Sequence, residues 1–339
     1  MKALLYPAWD TLEVVDMPPP EPGPGEVMVR VAACGICGSE LEGFRHHSPR
    51  RPPPLVMGHE FCGTIADLGG ASGTSLKIGA RVVANALVPC GTCNRCRAGR
   101  PHLCAKRQIF GMNRPGAFAE YVNVPVSALL DWPANLPAEA ACLAEPLGNG
   151  AHMVGLTRHL EPSTVLVIGA GPIGLLAMQA FSALTGATIL AADLSPERLQ
   201  AAQRCGAERV INPRTEDVVA IARELTGGEG VDVVVDAVGL ALTKRQSLNA
   251  ARPGGAAVWI GLTDNAMTVD SYDVTLPERT VHGTYAAKLE DMQTALDLLA
   301  AGKIEYESWI ERFPITRADE AFRRMLAAEG RDIKAIIQP

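Results

Sequence analysis

The stretch TVLVIGAGPIG, from Thr164 to Gly174, decides the fold of this chain. Its first five residues are mostly apolar and β-branched, as in a parallel strand that is covered on both faces. Closely spaced glycines follow at 169, 171 and 174, and residues 175–184 have the composition of a helix. A strand that runs through G-x-G-x-x-G into a helix is typical of a dinucleotide-binding βαβ unit.

Strands and helices are predicted to alternate beyond this motif. Strands are predicted at residues 188–192, 209–211, 231–236 and 256–261, and helices at residues 196–205, 217–225 and 242–251. Such alternation predicts a doubly wound parallel sheet, which places the chain in the α/β class. Two more helices, at residues 288–301 and 317–328, and a strand at 334–337 are predicted near the end of the sequence.

An acidic residue, Asp193, ends the second strand of this sheet, nineteen positions after Gly174. A carboxylate there accepts hydrogen bonds from the adenosine ribose and repels a 2′-phosphate, which favours NAD over NADP. Arg198, five residues later, could offset that repulsion. The predicted coenzyme-binding residues are Gly169, Gly171, Pro172, Ile173, Gly174, Asp193 and Arg198.

The first third of the chain has a different pattern of predicted secondary structure. Short strands are predicted at residues 1–5, 27–33 and 116–122, with a proline-rich connector at 17–24 that cannot be helical. This part is predicted to be a glycine-rich β barrel or sandwich that carries inserted metal sites.

Four cysteines follow one another as C-x2-C-x2-C-x7-C in the lobe at residues 90–104. They are Cys90, Cys93, Cys96 and Cys104. Four thiolates this close need a cation, and a tetrahedral Zn2+ closed by four sulfurs is structural rather than catalytic. A zinc ribbon could also contact nucleic acid, but the formal net charge of −6 argues against a phosphate-backbone partner.

A second, reactive zinc would need three protein ligands and one open position. Candidate ligands outside the lobe are Cys34, Cys37, His59, Glu60, Cys62, Cys142, Glu145 and His152. Cys37, His59 and a carboxylate meet the need for mixed sulfur, nitrogen and oxygen donors.

At this point the chain resembles the zinc-dependent medium-chain dehydrogenase/reductase family, particularly its polyol and threonine dehydrogenase branches. The shared motifs cover essentially the full length and are GICGS at 35–39, GHE at 58–60, the four-cysteine lobe, EPL at 145–147 and the glycine-rich loop. The resemblance implies a GroES-like, β-rich catalytic domain at residues 1–149 and 285–339. It also implies a Rossmann NAD-binding domain at residues 150–284.

The resemblance also implies roles for individual residues. Cys37 and His59 would ligate the catalytic zinc, with either Glu60 or Glu145 as the third ligand. Ser39 would take the proton of the substrate hydroxyl and pass it through the nicotinamide ribose. Relatives often complete this relay with a His where this chain has Glu42, whose role is therefore open.

These features predict an oxidoreductase with two zinc ions per chain that transfers hydride from a secondary alcohol, such as a polyol or sugar-like alcohol with or without a phosphate group, to NAD+. The alternatives are an L-threonine 3-dehydrogenase-like or simple secondary alcohol dehydrogenase and, in another class, a non-enzymatic NAD-binding protein. The basic loop at residues 45–51 contains Arg50 and Arg51 side by side, which would suit a phosphate or carboxylate on the substrate or would simply be solvated.

Nine cysteines and no signal peptide predict a reducing, cytoplasmic location. The run at residues 162–192 has no charged residue, but its glycines and proline interrupt it, so no membrane span is expected. Small-molecule alcohols are the expected partners, without nucleic acid or membrane. The resemblance alone implies a homo-oligomer, a tetramer.

Overall fold

The computed structural model of the chain describes residues 1–71, 74–327 and 332–339. Elements are numbered in chain order. The strands are β1 Lys2–Tyr6, β2 Glu13–Asp16, β3 Glu26–Gly35, β4 Leu55–Val56, β5 Glu60–Asp67, β6 Arg81–Ala84, β7 Leu87–Val88, β8 Gln108–Ile109, β9 Tyr121–Pro125, β10 Leu129–Asp131, β11 Thr164–Ile168, β12 Thr188–Ala192, β13 Arg209–Ile211, β14 Val231–Asp236, β15 Ala251–Trp259, β16 Thr280–Gly283, β17 Ile310–Pro314 and β18 Lys334–Gln338. The helices are α1 Gly38–Arg45, α2 Asn94–Arg97, α3 Ala138–Ala141, α4 Ala144–Thr157, α5 Pro172–Thr185, α6 Pro196–Arg204, α7 Val218–Glu224, α8 Ala241–Ala250, α9 Tyr272–Thr275, α10 Leu289–Ala300 and α11 Ala318–Ala327.

The chain divides into two compact units. The first comprises Met1–Glu145, Ala286–Ala301 and Trp309–Pro339, and the second comprises Pro146–Tyr285 and Gly302–Ser308. The first unit is β-rich, and the second is an α/β unit.

Strand β3 organises the first unit. In the described part of the chain it pairs with β5, β9 and β18, within the strand order β10-β6-β5-β3-β18-β17. Its alternate residues Val27, Val29 and Val31 are buried in the core, which is the period-two pattern of a strand with one face inward. A second sheet has the order β2-β1-β4, and β7 pairs with β8.

The second unit contains a parallel sheet of described strands in the order β13-β12-β11-β14-β15-β16. Strand β11 lies at its centre, and its residues Val165 to Ile168 are all buried, as the continuous apolar run predicted. The chain leaves β11 toward β12 and β13 on one side and later returns to β14 on the other. That reversal creates the crevice in which open α/β sheets bind ligands. The predicted fold class, a β-rich domain with a doubly wound parallel sheet, is confirmed.

Several element predictions differ from the structure. The strand expected at 116–122 begins only at Tyr121, β15 begins five residues earlier than predicted, and β16 was not predicted. The predicted helix at 317–328 is α11, and Ala328 lies outside the described residues.

Helix α4 was missed because it contains Pro146, Gly148 and Gly150, which usually break helices. The proline lies in the first turn, where it is tolerated. Gly150 packs closely on α5, since an added Cβ would lie 3.0 Å from the Ala180 Cβ. Close packing therefore overrides the low helix propensity.

Among residues 1–71, 74–327 and 332–339, no helix has both the length and the hydropathy that crossing a bilayer would require.

Candidate metal and coenzyme sites

The four cysteines of the lobe converge on one point. The sulfur–sulfur distances are 3.5 Å for Cys93 to Cys96, 3.8 Å for Cys93 to Cys104 and 3.5 Å for Cys104 to Cys90. Four sulfurs at about 2.3 Å from a tetrahedral zinc lie about 3.8 Å apart, whereas a disulfide would bring them to about 2 Å. The four thiols are unbridged, so this donor set fits a zinc ion.

Backbone amides favour the thiolate form of a lobe cysteine, which is the form that binds a cation. N–H groups of Thr92 and Cys93 lower the pKa of the Cys90 thiol to about 6, because they stabilise the thiolate. Gly91 and Gly99 have left-handed φ values of 72° and 70° and form the turns on either side of α2. The short helix between these turns carries Cys96 back toward the other three sulfurs.

A second group of candidate ligands lies on the first unit. The ligand atoms of Cys37, His59 and Glu60 all lie within 4.8 Å of one another. Cys37 precedes α1 as its N-cap, and His59 and Glu60 lie where the chain enters β5. The set offers one sulfur, one nitrogen and one oxygen donor, which fits a zinc ion with an open fourth position.

Glu40 orients His59 for such a role. Its Oε1 accepts from the backbone N–H of Gly58 at 2.8 Å and lies 2.8 Å from Nδ1 of His59, while Oε2 accepts from the N–H of Cys37 at 3.0 Å. Burial raises the pKa of this carboxyl, but the charge and hydrogen bond of His59 outweigh burial and lower it overall. A carboxylate at Nδ1 fixes the ring tautomer and leaves Nε2 for a metal.

Lys334 is a buried residue beside these candidate ligands that the sequence did not suggest. Its Nζ forms a buried ion pair with Glu60 and donates to the carbonyl of Ile36 at 2.9 Å. Lys334 is only 1% exposed. The ammonium compensates the buried charge of Glu60, whose carboxylate has lone pairs enough to accept from Lys334 and still bind a cation.

Glu145 lies buried in the first turn of α4 and is not part of the group within 4.8 Å. Burial raises the pKa of its carboxyl to about 7; His59 opposes this shift and Glu60 adds to it. Glu145 is therefore near enough for both charges to act on it, and it is partly protonated at neutral pH. A protonated carboxyl must lose its proton before it can bind a metal.

Ser39 lies in the first turn of α1 and is exposed. Its hydroxyl donates to Cys37 Sγ at 3.4 Å. Glu42, on the next turn, is exposed and pairs with Arg45 and His46. The predicted proton acceptor and a predicted zinc ligand are thus direct neighbours.

Arg51 corrects the interpretation of the basic loop at residues 45–51. It is 5% exposed, and its guanidinium bonds to Ser39 and to the carbonyl of Gly111. Arg51 is therefore not a solvated loop residue. Its guanidinium is also already bonded within the protein, so it is not available to receive a substrate phosphate. Arg50 beside it is exposed.

The glycine-rich loop has the geometry that dinucleotide binding requires. Gly169 has φ of 98°, and an added Cβ would lie 2.7 Å from Val238 Cγ2. A Cβ on Gly174 would collide with the carbonyl oxygen of Gly169, whereas a Cβ on Gly171 would meet nothing within 4 Å. Gly169 and Gly174 are thus closely packed against the protein, whereas the position of Gly171 is open. The open position leaves space for a pyrophosphate at the start of α5, where Pro172 and Ile173 form the first turn.

Asp193 lies at the carboxyl end of β12 and is held by backbone amides. Its Oδ2 accepts from Ala170 N at 2.7 Å and its Oδ1 from Ser195 N at 2.9 Å. Arg198 Nη1 lies 4.0 Å from Oδ2. The carboxylate is thus fixed beside the glycine-rich loop, with one cation close to it.

The start of β11 is tied to β14 by Asp232. Its Oδ2 accepts from the backbone N–H groups of Ser163 and Thr164, each at 2.9 Å, and its Oδ1 accepts from Arg252 Nε at 2.6 Å. Burial raises the pKa of this carboxyl, but these bonds outweigh burial and lower it to about 2. Asp232 thereby anchors the strand that leads into the glycine-rich loop.

Comparison with known proteins gives two family matches. Residues 23–134 match the alcohol dehydrogenase GroES-like domain, and residues 172–301 match the zinc-binding dehydrogenase family.

Individual relatives cover nearly the whole chain. An L-threonine 3-dehydrogenase from Caldanaerobacter subterraneus subsp. tengcongensis is 35% identical, over 96% of this chain and 95% of its own. A D-arabitol-phosphate dehydrogenase from Enterococcus avium is 32% identical, over 98% and 95%. A zinc-binding dehydrogenase from Sinorhizobium meliloti 1021, solved with NADP, superposes with a TM-score of 0.91 at 33% identity, over 100% of this chain and 99% of its own.

Proposed function

Because the chain belongs to the zinc-dependent medium-chain dehydrogenase/reductase family and is an NAD(P)-dependent enzyme of the alcohol dehydrogenase type, we propose that it oxidises a secondary hydroxyl to the ketone with NAD+. The proposed substrate is a polyol or sugar-like alcohol. The observation that carries this proposal is the group of Cys37, His59 and Glu60 with the Ser39 hydroxyl beside it. The alternative, a non-enzymatic NAD-binding protein, predicts the loss of these zinc ligands, and they are all present.

Cys37, His59 and Glu60 would hold the catalytic zinc, and the four-cysteine lobe would hold a second ion. When bound, the zinc lowers the pKa of a substrate hydroxyl, and the nicotinamide accepts hydride. Glu60 is preferred over Glu145 because its ligand atom lies in the group with Cys37 and His59 and because Lys334 compensates its charge.

The choice between the two acids has a direct test. Glu60→Ala should lose the catalytic zinc, whereas Glu145→Ala should keep it and lose turnover at most. Zinc analysis of the purified variants measures this. Retention of about two ions by Glu60→Ala and of about one by Glu145→Ala would reverse the assignment.

The remaining work of the site is done by side chains of the chain itself. Glu40 holds the ring of His59 in one tautomer, and Lys334 offsets the buried charge of Glu60. Ser39 Oγ is exposed and is the candidate acceptor of the substrate hydroxyl proton; it would release its own proton toward the nicotinamide ribose in the same step.

We favour NAD+ over NADP+ because the Asp193 carboxylate is fixed next to the glycine-rich loop and would repel a 2′-phosphate. Arg198 is the one nearby cation among the described contacts of Asp193. The kcat/KM with NAD+ should therefore exceed that with NADP+, and Asp193→Ala should narrow the gap. Equal use of both cofactors by the unmodified enzyme would refute the preference.

The substrate proposal is an uncharged polyol, because Arg51 is buried under Ser39 and cannot serve as half of a phosphate site. NADH formation should be measured across polyols, inositols, D-arabitol phosphate, L-threonine and simple secondary alcohols, beside Cys37→Ala. The polyols should give the highest kcat/KM, and Cys37→Ala should abolish turnover. If L-threonine alone reacts, the L-threonine 3-dehydrogenase alternative, supported by the 35% identical relative, replaces the polyol.

We also propose a homo-oligomer, a tetramer. Among the described strands, β16 is an outer strand of its sheet, and large apolar side chains within this strand and in the segment that precedes it along the chain are exposed. They are Leu262, Tyr272, Leu276 and Val281. An open strand edge with apolar neighbours suits a second copy of the chain. Light scattering that finds a monomer at assay concentration would refute this.

A further inference from the structure

The contact between Arg51 and Ser39 is built as a fixed support. Arg51 Nη1 donates to the Ser39 carbonyl at 2.8 Å, and Nη2 donates to Ser39 Oγ at 3.1 Å. Nε donates to the carbonyl of Gly111 at 3.2 Å, which anchors the guanidinium from its other side. A planar guanidinium with three such bonds has little freedom to rotate.

Helix α1 leaves room for this arginine at a cost in helix propensity. Gly43 lies inside α1, where glycine is about 1 kcal/mol less favourable than alanine. A Cβ at position 43 would lie 3.1 Å from Arg51 Cδ and 3.3 Å from Nη1. The small residue therefore keeps open the space that the arginine side chain occupies.

The bond from Arg51 restricts what the Ser39 hydroxyl can do. A hydroxyl has one proton to donate and two lone pairs, and an arginine can only donate. Nη2 therefore occupies one lone pair, and the proton of Ser39 must point away from Arg51. In the structure it points to Cys37 Sγ, which leaves the second lone pair on the exposed side of Ser39.

We propose that Arg51 is a positioning residue that sets the orientation of the Ser39 hydroxyl for the dehydrogenase reaction. This inference rests on the proposed role of Ser39 as the acceptor of the substrate proton. Arg51 touches no reacting atom in this scheme; it holds Ser39 Oγ with one lone pair free to accept the substrate proton, while Ser39 gives up its contact with Cys37 Sγ and passes its own proton to the nicotinamide ribose in the same step. The chain thus has a fixed donor behind Ser39, whereas Glu42, at the position where relatives carry a His, is exposed and paired elsewhere.

The test is a double-mutant cycle between Arg51→Met and Ser39→Ala, measured by NADH formation with the best alcohol of the panel described above. Loss of orientation at a reacting group costs about 10- to 100-fold, so kcat of Arg51→Met should fall by that factor while KM stays within about threefold. Arg51→Met should cause no further loss in the Ser39→Ala background, because the arginine acts through that hydroxyl.

A spectroscopic measurement gives a readout that does not depend on turnover. With Co2+ exchanged only into the site of Cys37, His59 and Glu60, and zinc kept in the four-cysteine lobe, the thiolate-to-metal absorption band reports the hydrogen bond that Cys37 Sγ receives from Ser39. Arg51→Met should shift this band to longer wavelength, and Ser39→Ala should shift it in the same direction. Arg50→Met, the same change at the exposed neighbour, should alter neither the band nor kcat.

Two further variants keep the test informative if Arg51→Met folds poorly. Arg51→Lys keeps the positive charge but lacks the planar guanidinium that bonds both Ser39 oxygens. Compared with Arg51→Met, it should therefore fold normally but should not regain the wild-type kcat. Gly43→Ala should push the Arg51 side chain by a few tenths of an ångström and loosen its bonds to Ser39, so kcat should fall while the protein stays folded.

The outcomes separate this inference from the proposed function. If Ser39→Ala impairs turnover and Arg51→Met adds an independent loss of similar size in that background, Arg51 does not act through Ser39 and the inference fails alone. Unchanged kcat in Arg51→Met has the same meaning. If Ser39→Ala itself leaves kcat unchanged, both the role of Ser39 and the inference are overturned.

Discussion

Replacing Glu40 by Gln should weaken the catalytic zinc site without removing a ligand. The Glu40 carboxylate receives three hydrogen bonds, from Gly58, His59 and Cys37. A glutamine has one oxygen and one NH2 group in the same space. If its oxygen keeps Gly58 and His59, its NH2 faces the N–H of Cys37, and two donors oppose each other. If the amide flips, the same conflict falls on Gly58 and His59.

The magnitude follows from the loss of one buried bond and of the negative charge behind His59. Loss of such a carboxylate partner typically costs about 10- to 100-fold in metal affinity, or about 1.4–2.7 kcal/mol. Both protein groups that Glu40 orients, Cys37 and His59, are predicted zinc ligands, so the upper half of this range is expected. The four-cysteine lobe shares no contact with Glu40 in the described hydrogen bonds and should keep its ion.

The assay is zinc content per chain after dialysis against increasing chelator. At a chelator concentration where the wild type keeps about two ions, Glu40→Gln should keep about one. Glu42→Gln makes the same chemical change two residues away on an exposed side chain and should match the wild type. Glu40→Asp retains the charge and should lie between the two. If Glu40→Gln holds zinc as tightly as Glu42→Gln, Glu40 does not orient the ligands.

Two further predictions concern stability. Cys93→Ala should lower the unfolding temperature and zinc content before it affects chemistry, because closed zinc sites contribute directly to folding; Cys205→Ala, the same change at a thiol outside the lobe, should not lose zinc. Full heat resistance of Cys93→Ala would contradict the structural role of the lobe. Asp232→Asn should lower the free energy of unfolding by about 1–2 kcal/mol, after allowance for solvent screening of the Arg252 pair. Because the pKa of Asp232 is lowered from 3.8 to about 2 by folding, this difference from the wild type should be complete above about pH 4 and should vanish as the pH falls toward 2. Urea unfolding at several pH values, with exposed Asp270→Asn as control, measures it, and a difference that grows in acid would contradict the sign.

Much of the second unit could be predicted from sequence because its signals are local. The apolar run into Gly169, the helix start at Pro172 and the acid at Asp193 follow one another within thirty residues, and the structure has strand, turn and helix there. The four-cysteine lobe is equally local. The cysteine spacing alone predicts that the four sulfurs lie close together, and the structure places neighbouring sulfurs 3.5–3.8 Å apart.

The parts that were missed depend on contacts between distant residues. Arg51 lies in a basic, proline-rich loop that has the composition of a solvated segment, and only the folded chain shows that α1 and Gly111 enclose it. Lys334 lies in an apolar strand with no motif around it, and its partner Glu60 is 274 residues earlier. Neither the burial of the arginine nor the pairing of the lysine has a local pattern that could have revealed it.

The pairing of Lys334 with Glu60 has a consequence for the order of events during synthesis. At about 5–20 residues per second, a ribosome adds the lysine roughly 15–55 s after the glutamate. During that interval Glu60 has no ammonium to offset its charge, and β3 has not yet paired with β18. Because an unpaired carboxylate is stabilised by water, we expect this region of the nascent first unit to stay hydrated while the parallel sheet of the second unit is made. Early capture of a metal ion by Cys37, His59 and Glu60 would be one way to neutralise the carboxylate before its lysine arrives.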